Sequence, residues 1–439
     1  MQFKPLIVAL SLAFSPLVQA ANLGDIYREA LANDTQYAAA RAAYEAGLEA
    51  LPQARSALLP QVNGGGNARY NDVRTTLPNG DTQHGNGELR LEAAQPLYNK
   101  ASSVQVEQAE SQVRIVEKQL ALASQDLILR TARAYFDVLQ AQDSIVFIRA
   151  QKAAITEELA AAKRNFEVGT ATIIDTQEAQ ARYDLAIAQE IAEENTLNIR
   201  LRALELIIGT PPAMLDTLAD QAEIKTPDLR SIDDWAARAE QDNLKVEIQR
   251  FNKAIADQQI ERARAGHYPT LNAVAAYRYN KNQSLGVTLI DVNTATVGVE
   301  FNLPIYQGGL VDSQVRQAVA NQEKARQDLN TALREATLNA RQAYLNVTST
   351  EAQVNALGRA VTSTQTQLES TKLGVQVGVR TSLDVLNAQQ QVFSEQRRLS
   401  AARYDFILAG LSLKAAVGAL NVDDVTRVDR VLRPPATAK

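Results

Sequence analysis

Long stretches of the chain repeat apolar residues at alternating spacings of three and four. From residue 106 to residue 166 these positions form one stripe, whose charged members are Arg130 and Lys152. The pattern returns between residues 315 and 368. Such spacing over about eight heptads predicts coiled-coil helices rather than helices of a globular core. The first of them is predicted from residue 99 to residue 165, and a helix of about 67 residues would be ~100 Å long at ~1.5 Å per residue.

Shorter helical stretches flank each long one. They are predicted at residues 23–55 and 231–265, ahead of the segments described next, and at 174–208 after the first long helix. No proline stands between Pro96 and Pro211 or between Pro304 and Pro434, which fits uninterrupted helices. Two short helices together match one long helix, so we expect one continuous helix to lie antiparallel beside two half-length helices.

Between these helices the pattern changes to a period of two. Strands are predicted at residues 62–70, 88–94, 271–280 and 295–303, joined by long polar loops at 71–87 and 281–293. In the last strand one face is apolar and the other more polar. The first face holds Ala295, Val297, Val299, Phe301 and Leu303, and the second holds Thr296, Gly298, Glu300 and Asn302.

The alternation has two interpretations, an ordinary half-buried sheet or the wall of a membrane barrel. The direct connection to very long helices favours the barrel, because no extra helix is predicted to cover the apolar face. Four strands cannot close a barrel, and open edges are not tolerated in lipid. Several chains would therefore share one barrel, and the pattern alone leaves two, three or more copies open.

The chain is internally duplicated with a period of 209 residues or one less. Matching positions include Pro60 and Pro269, Tyr70 and Tyr279, Ala134-Tyr135 and Ala343-Tyr344, Asp175 and Asp384, and Gly209 and Gly418. The duplication divides the mature chain into a first repeat (21–209), a proline-containing linker (210–230), a second repeat (231–420) and a C-terminal tail (421–439).

The first twenty residues have the pattern of a signal peptide. Lys4 precedes an apolar run at 6–14, and small residues at 18–20 provide a cleavage site. The run is too short to span a membrane, which takes about 20 residues. We expect an exported protein without a transmembrane helix, and without a cysteine near the cleavage site that could be lipidated.

Composition favours structure over catalysis. The chain is 46% hydrophobic but only 5% aromatic, which suits long helices packed through small side chains. It has no cysteine and two isolated histidines, His84 and His267, so we expect no enzyme, no catalytic or metal-binding residues and no cofactor. A net charge of −5 without a basic run argues against a nucleic-acid partner.

Four motifs are specific when taken together. They lie at residues 303–309 (LPIYQGG), 266–271 (GHYPTL), 377–386 (VGVRTSLDVL) and 402–404 (ARY). With them the chain resembles the TolC family of outer-membrane channels. The resemblance implies a mainly α protein with membrane β structure, located in the outer membrane. Long antiparallel coiled-coil helices would form a periplasmic tunnel, and four transmembrane β-strands per chain would contribute to a barrel shared by a homotrimer.

The resemblance also implies a function and partners. The chain would be an exit duct for type I protein secretion, small-molecule efflux or both, working with a periplasmic adaptor and an inner-membrane transporter and contacting outer-membrane lipid. It is most similar to the non-lipidated type I secretion branch. The alternative is a soluble periplasmic coiled-coil adaptor or scaffold, which cell fractionation distinguishes from a channel. The cargo is left open.

The resemblance places the family's closed periplasmic gate at four residues of this chain. Asp175, Arg380 and Asp384 match positions that the resemblance assigns to polar links between neighbouring coiled coils and to a ring of aspartates. Asn387 stands where a second aspartate ring is usual. Ile174 and Val375 replace a usual threonine and tyrosine, so we expect closure to rest more on Arg380 and Asp384.

Overall fold

The computed structural model describes residues 20–74, 76, 82–219, 231–285 and 288–434. The predicted signal peptide, apart from residue 20, lies outside the described residues, as do residues 220–230 of the linker and 435–439 of the tail. No helix in these described ranges combines the length and the apolar character needed to cross a membrane.

In each repeat, helices precede two strands, and a long helix and a shorter helix follow the strands. The first repeat holds α1 (Leu23–Asn33), α2 (Thr35–Leu48), α3 (Ala50–Ser56), β1 (Gln61–Val73), β2 (Thr82–Tyr98), α4 (Lys100–Glu167) and α5 (Ile173–Ile208), and β3 (Thr217–Leu218) follows it. The second repeat holds α6 (Ile232–Asp242), α7 (Leu244–Arg264), a 3-10 turn (Ala265–His267), β4 (Thr270–Leu285), β5 (Thr288–Asn302), α8 (Leu310–Gln376) and α9 (Ser382–Ala416). The chain continues with α10 (Val422–Asp429) and β6 (Leu432–Arg433).

The two long helices are confirmed, with 68 residues in α4 and 67 in α8. The single helices predicted before the strands are wrong, because each one is interrupted. The Asp34 side chain accepts a hydrogen bond from Tyr37 N at 2.7 Å and so restarts the helix as α2. Asn243 has the same extended backbone between α6 and α7. An acid or amide side chain that caps a new helix favours a break at its own position.

The predicted strands are too short and the predicted loops too long. Residues 281–285 and 288–293, assigned to a loop from their polarity, belong to β4 and β5 and pair with each other, for example Gln283 with Ile290. A register irregularity between Asn280 and Gln283 precedes this pairing. Polar residues remain in the ladder because pairing depends on backbone groups, which every residue except proline supplies in full.

Four antiparallel strands form one sheet in the order β1-β2-β4-β5. The register places the apolar positions of neighbouring strands on one face, as in the row of Leu91, Tyr277 and Ala295. The next row, Arg90, Arg278 and Thr294, lies on the opposite face. The apolar face is open to solvent in the single chain, and Val297 is 88% exposed.

The chain forms two compact units, each with segments from both repeats. One unit consists of the described residues within 40–121 and 244–335 and includes the four-stranded sheet. The other consists of residues 20–39, 122–219, 231–243 and 336–434. Its largest core surrounds Tyr135 and Phe136 of α4 and includes residues of α1, α5, α9 and α10. The repeat boundaries derived from the duplication stay a prediction.

The residues between and after the repeats are partly built into this core. Leu215, within the predicted linker, is buried, and β3 pairs with β6 from the predicted tail. Tyr135 donates from its hydroxyl to the Asp216 carbonyl oxygen at 2.7 Å. The described parts of the linker and tail therefore help to hold α4 in place.

Candidate functional site

Each long helix ends in a short turn that leads into the next helix. The turns at residues 168–172 and 377–381 both reverse at a glycine with positive φ, 75° at Gly169 and 79° at Gly378. Glycine adopts this left-handed conformation without steric cost, so it commonly follows a helix C-terminus. The two turns are equivalent in the duplication, and we call them the glycine turns.

Both predicted aspartates sit in the first turn of the helix after a glycine turn. Asp175 accepts hydrogen bonds from Thr172 N and Oγ1, both at 2.8 Å. Asp384 accepts from Thr381 N at 2.9 Å and from its Oγ1 at 3.1 Å. Each threonine in turn caps the helix, forming a reciprocal capping box. The aspartates are thus held at fixed positions beside the glycine turns.

Arg380 lies in the second glycine turn, next to the Thr381 cap. The pKa of Asp384 is lowered first by the Thr381 backbone hydrogen bond, then by the Thr381 side chain, and also by the charge of Arg380. The stem of Arg380 crosses Gly374, where a Cβ would lie 2.7 Å from Arg380 Cγ. Among the described residues of the single chain, no ion pair joins Arg380 to Asp175.

Asn387 contacts a residue that the sequence reasoning missed. Arg182 of α5 donates to Asn387 Oδ1 at 3.0 Å and to Gln390 Oε1 at 2.7 Å, both on α9. The contact joins the two repeats near their glycine turns. One signal was available, because Arg182 aligns with Gln391 at the repeat period of 209 and so marks a difference in charge between equivalent helices.

The two departures from the family pattern lie in different surroundings. Ile174 is 70% exposed at the start of α5. Val375 packs against a small cluster between α8 and α9, formed by Leu368, Val385, Ala388 and Val392. Val375 therefore adds apolar packing beside the glycine turn. In the described ranges no group of three or more acidic, histidine or cysteine side chains is arranged to hold a metal ion.

Comparison with known proteins identifies related chains along almost the whole length. The family described as "Outer membrane efflux protein" matches twice, at residues 26–210 and 235–419, and the two matches begin 209 residues apart. "Outer membrane protein TolC" of Vibrio cholerae is 35% identical, over 98% of both chains. "Proteases secretion protein PrtF" of Dickeya chrysanthemi is 31% identical, over 96% of this chain and 93% of the relative.

Solved structures show the same fold at lower identity. The outer membrane protein VceC from Vibrio cholerae has a TM-score of 0.75 at 20% identity, covering 90% of this chain and 96% of that one. The open state of the Neisseria gonorrhoeae MtrE outer membrane channel has a TM-score of 0.74 at 18% identity, covering 91% and 90%.

Proposed function

Because the chain belongs to the outer membrane efflux protein family, the TolC family of its full-length relatives, we propose that it is an outer-membrane exit duct for type I protein secretion, small-molecule efflux or both. One structural observation carries this function, the four-stranded sheet with an exposed apolar face that continues into helices of 67 and 68 residues. A soluble adaptor or scaffold would leave that apolar face in water, which is unfavourable.

The sheet supports assembly into a shared barrel. The strands β1 and β5 stand at its two edges, each with one paired neighbour. Backbone groups at such edges have no water to bond within lipid, so a membrane sheet must close. Three copies would supply twelve strands, and the homotrimer closes by pairing β5 of one copy with β1 of the next. A periplasmic adaptor and an inner-membrane transporter complete the duct.

The glycine turns form the closed end of the duct in this proposal. They lie at the ends of α4 and α8 remote from the strands along each helix. Asp384 and Arg380 contribute charges there, and Asp175 offers a carboxylate to Arg380 of a neighbouring copy. Asn387, bound to Arg182, connects the two repeats of one chain. Exposed pairs contribute only ~0–1 kcal/mol each, so three symmetric copies keep the end closed through several weak links.

Cell fractionation and measurements on the purified protein test this function. In fractionation, we expect the protein to stay with the outer membrane. The purified protein should have the mass of three chains in detergent and should conduct ions in a planar lipid bilayer. A stable monomer in the absence of detergent would contradict the proposal and favour the soluble alternative.

The cargo requires a separate experiment. The names of PrtF and of the alkaline protease secretion protein AprF of Pseudomonas aeruginosa, 31% identical over 93% of this chain, favour protein secretion. A strain that lacks this chain should then fail to release a secreted protein into the medium. The amount of a soluble periplasmic protein should be unchanged in the same strain. Unchanged secretion together with increased drug sensitivity would assign the chain to efflux alone.

A further inference from the structure

Three charged side chains, Glu88, Arg90 and Glu92, alternate along the polar face of β2. Directly across the ladder from Arg90 lies Arg278 of β4. Arg278 Nε is 3.1 Å from Glu88 Oε1, and its Nη2 is 3.4 Å from Glu92 Oε1. Arg278 therefore engages both carboxylates that flank Arg90. Since like charges directly opposite each other on a sheet repel, Arg90 is favoured to turn away from β4.

Arg90 lies on the side of β1, where its ladder partner is Gly65. A Cβ at residue 65 would lie 2.9 Å from Arg90 Nε and 3.4 Å from its Cγ. A larger residue at position 65 would force the arginine side chain to shift, so the glycine permits its present position. Within the described ranges no carboxylate pairs with Arg90. Its guanidinium lies beside Gly65, without a carboxylate partner among the described residues.

The polar face of a membrane barrel lines its interior. In a trimer Arg90 would occur three times at one level of the barrel, where the three positive charges add to the local field. We propose that Arg90 determines charge selectivity in the membrane-level lumen, by forming a cationic ring that attracts anionic groups of passing solutes. Gly65 keeps each guanidinium against the wall. The inference rests on the proposed channel function.

A cysteine-scanning experiment measures this local field without depending on the glycine turns. The chain contains no cysteine, so Thr294→Cys introduces a single thiol. Thr294 shares the polar row of Arg90 and lies two strands away, which is ~10 Å at ~4.8 Å per strand. That distance is about one Debye length at 0.1 M salt. The measured quantity is the ratio of modification rates by anionic and cationic methanethiosulfonate reagents in the purified trimer.

Removing the charge should lower this ratio. In the Thr294→Cys background, we expect Arg90→Gln to reduce the anionic-to-cationic ratio about two- to fourfold at low salt, and high salt to diminish the difference. Arg90→Lys keeps the charge and should keep the ratio. An unchanged ratio in Arg90→Gln would overturn the selectivity role.

Gly65 has a matched control on the same face. Gly65→Ser should displace Arg90 from the wall towards the lumen and raise the ratio, and should have no effect when Arg90 is already glutamine. Gly298→Ser should leave the ratio unchanged, since a Cβ there meets nothing within 4 Å. Equal effects of the two serine variants would overturn the role of Gly65.

Failure of the channel function gives a different result. Val297 lies on the opposite, apolar face of β5. If a thiol at Val297→Cys reacts with the charged reagents and one at Thr294→Cys does not, the assignment of the faces is wrong and the proposed duct fails with it. If Thr294→Cys reacts but the anionic-to-cationic ratio of its modification rates is the same with and without Arg90→Gln, only the cationic ring is overturned.

Discussion

At the scale of single residues, Asp384 makes two kinds of interaction beside its glycine turn. Its carboxylate completes a capping box with Thr381, which stabilises the start of α9. The same carboxylate lies beside Arg380, whose charge contributes to lowering the pKa of Asp384. The Asp384 carboxylate can therefore both cap α9 and carry the charge that we propose for the gate. Arg380 has no comparable intrachain task, so it is the better residue with which to test closure.

Arg380→Ser should open the closed end. The substitution removes the cation proposed to link neighbouring copies, while the Thr381–Asp384 capping box keeps the turn folded. We expect a higher single-channel conductance in a planar bilayer. Arg359, exposed on α8 away from the glycine turn, provides the control variant Arg359→Ser, which should conduct like the parent. Closure would have to be assigned to other residues if both variants behaved alike.

At the scale of elements, the break between α1 and α2 is stabilised by a partly buried ion pair. Asp34, 4% exposed, binds Arg130 of α4 through two hydrogen bonds of 2.8 and 3.0 Å. The hydrogen bond from Arg130 is the largest cause of the lowered Asp34 pKa. The equivalent positions of the second repeat are Asn243 and Asn339, so the ion pair belongs to the first repeat alone.

Asp34→Asn should destabilise the fold in a pH-dependent way. We expect a loss of about 1–3 kcal/mol at pH 7, since Arg130 loses its buried carboxylate. Because the folded pKa of Asp34 is below its unfolded value of about 3.9, the ion pair stabilises above that pH and stops doing so as pH falls through the folded pKa. Thermal unfolding at pH 7 and pH 3 measures the difference between parent and variant.

A control shares the same arginine. Asp126 is exposed and pairs with Arg130 from one helical turn away at 2.6 Å, so Asp126→Asn should cost no more than about 0.5 kcal/mol. A penalty for Asp34→Asn that is equal at both pH values would show that the charge of Asp34 is not what stabilises the fold.

The two faces of the sheet give a second prediction at this scale. Val297 and Thr296 are neighbours at the same depth in β5 but face opposite sides. Val297→Arg should impair insertion or trimer stability, because an arginine on the lipid face at mid-membrane costs ~2–4 kcal/mol. Thr296→Arg should assemble normally. The trimer stability of the two variants can be compared by the gel mobility of membrane-extracted protein before and after heating. A less stable trimer in Thr296→Arg than in Val297→Arg would contradict the proposed orientation.

At the scale of the whole molecule, apolar side chains of α8 point to contacts between copies. Leu338 and Leu345 are one heptad apart and are 55% and 56% exposed. Ala340 and Val347, on another side of the same helix, are fully buried within the chain. A helix with apolar residues on two sides packs against two neighbours, and a ring of helices from three copies supplies the second.

Leu345→Glu should therefore weaken the trimer without unfolding the chain. The carboxylate would be buried between helices of two copies without a partner, which is costly. Mass measurement in detergent should show dissociation at lower protein concentration than for the parent. The next residue offers Asn346→Glu as the control, because it adds the same charge at an exposed position about 100° around the helix from Leu345. Equal trimer stability of both variants would place the contact between copies elsewhere.

The sequence predicted those features that depend on local periodicity. A spacing of three and four placed α4 and α8, and alternation placed the two faces of each strand, because both patterns follow from the geometry of a single element. It also placed Asp175 and Asp384 beside their glycine turns, since cap and turn residues act within a few positions. Strand ends were missed, because a ladder continues wherever a backbone partner is available.

Only the tertiary structure decided which equivalent residues differ. Tyr135 and Tyr344 occupy the same place in the duplication, yet Tyr135 is fully buried and Tyr344 only half-buried. The chain has one segment that forms α10 and β6, and its Val425 and Leu432 pack into the core around Tyr135. The contact of Arg182 with Asn387 joins residues 205 positions apart, and Arg90 lies over Gly65 because Arg278 takes both neighbouring carboxylates. These contacts depend on which residues distant in sequence come together in the fold, so no local sequence pattern predicts them.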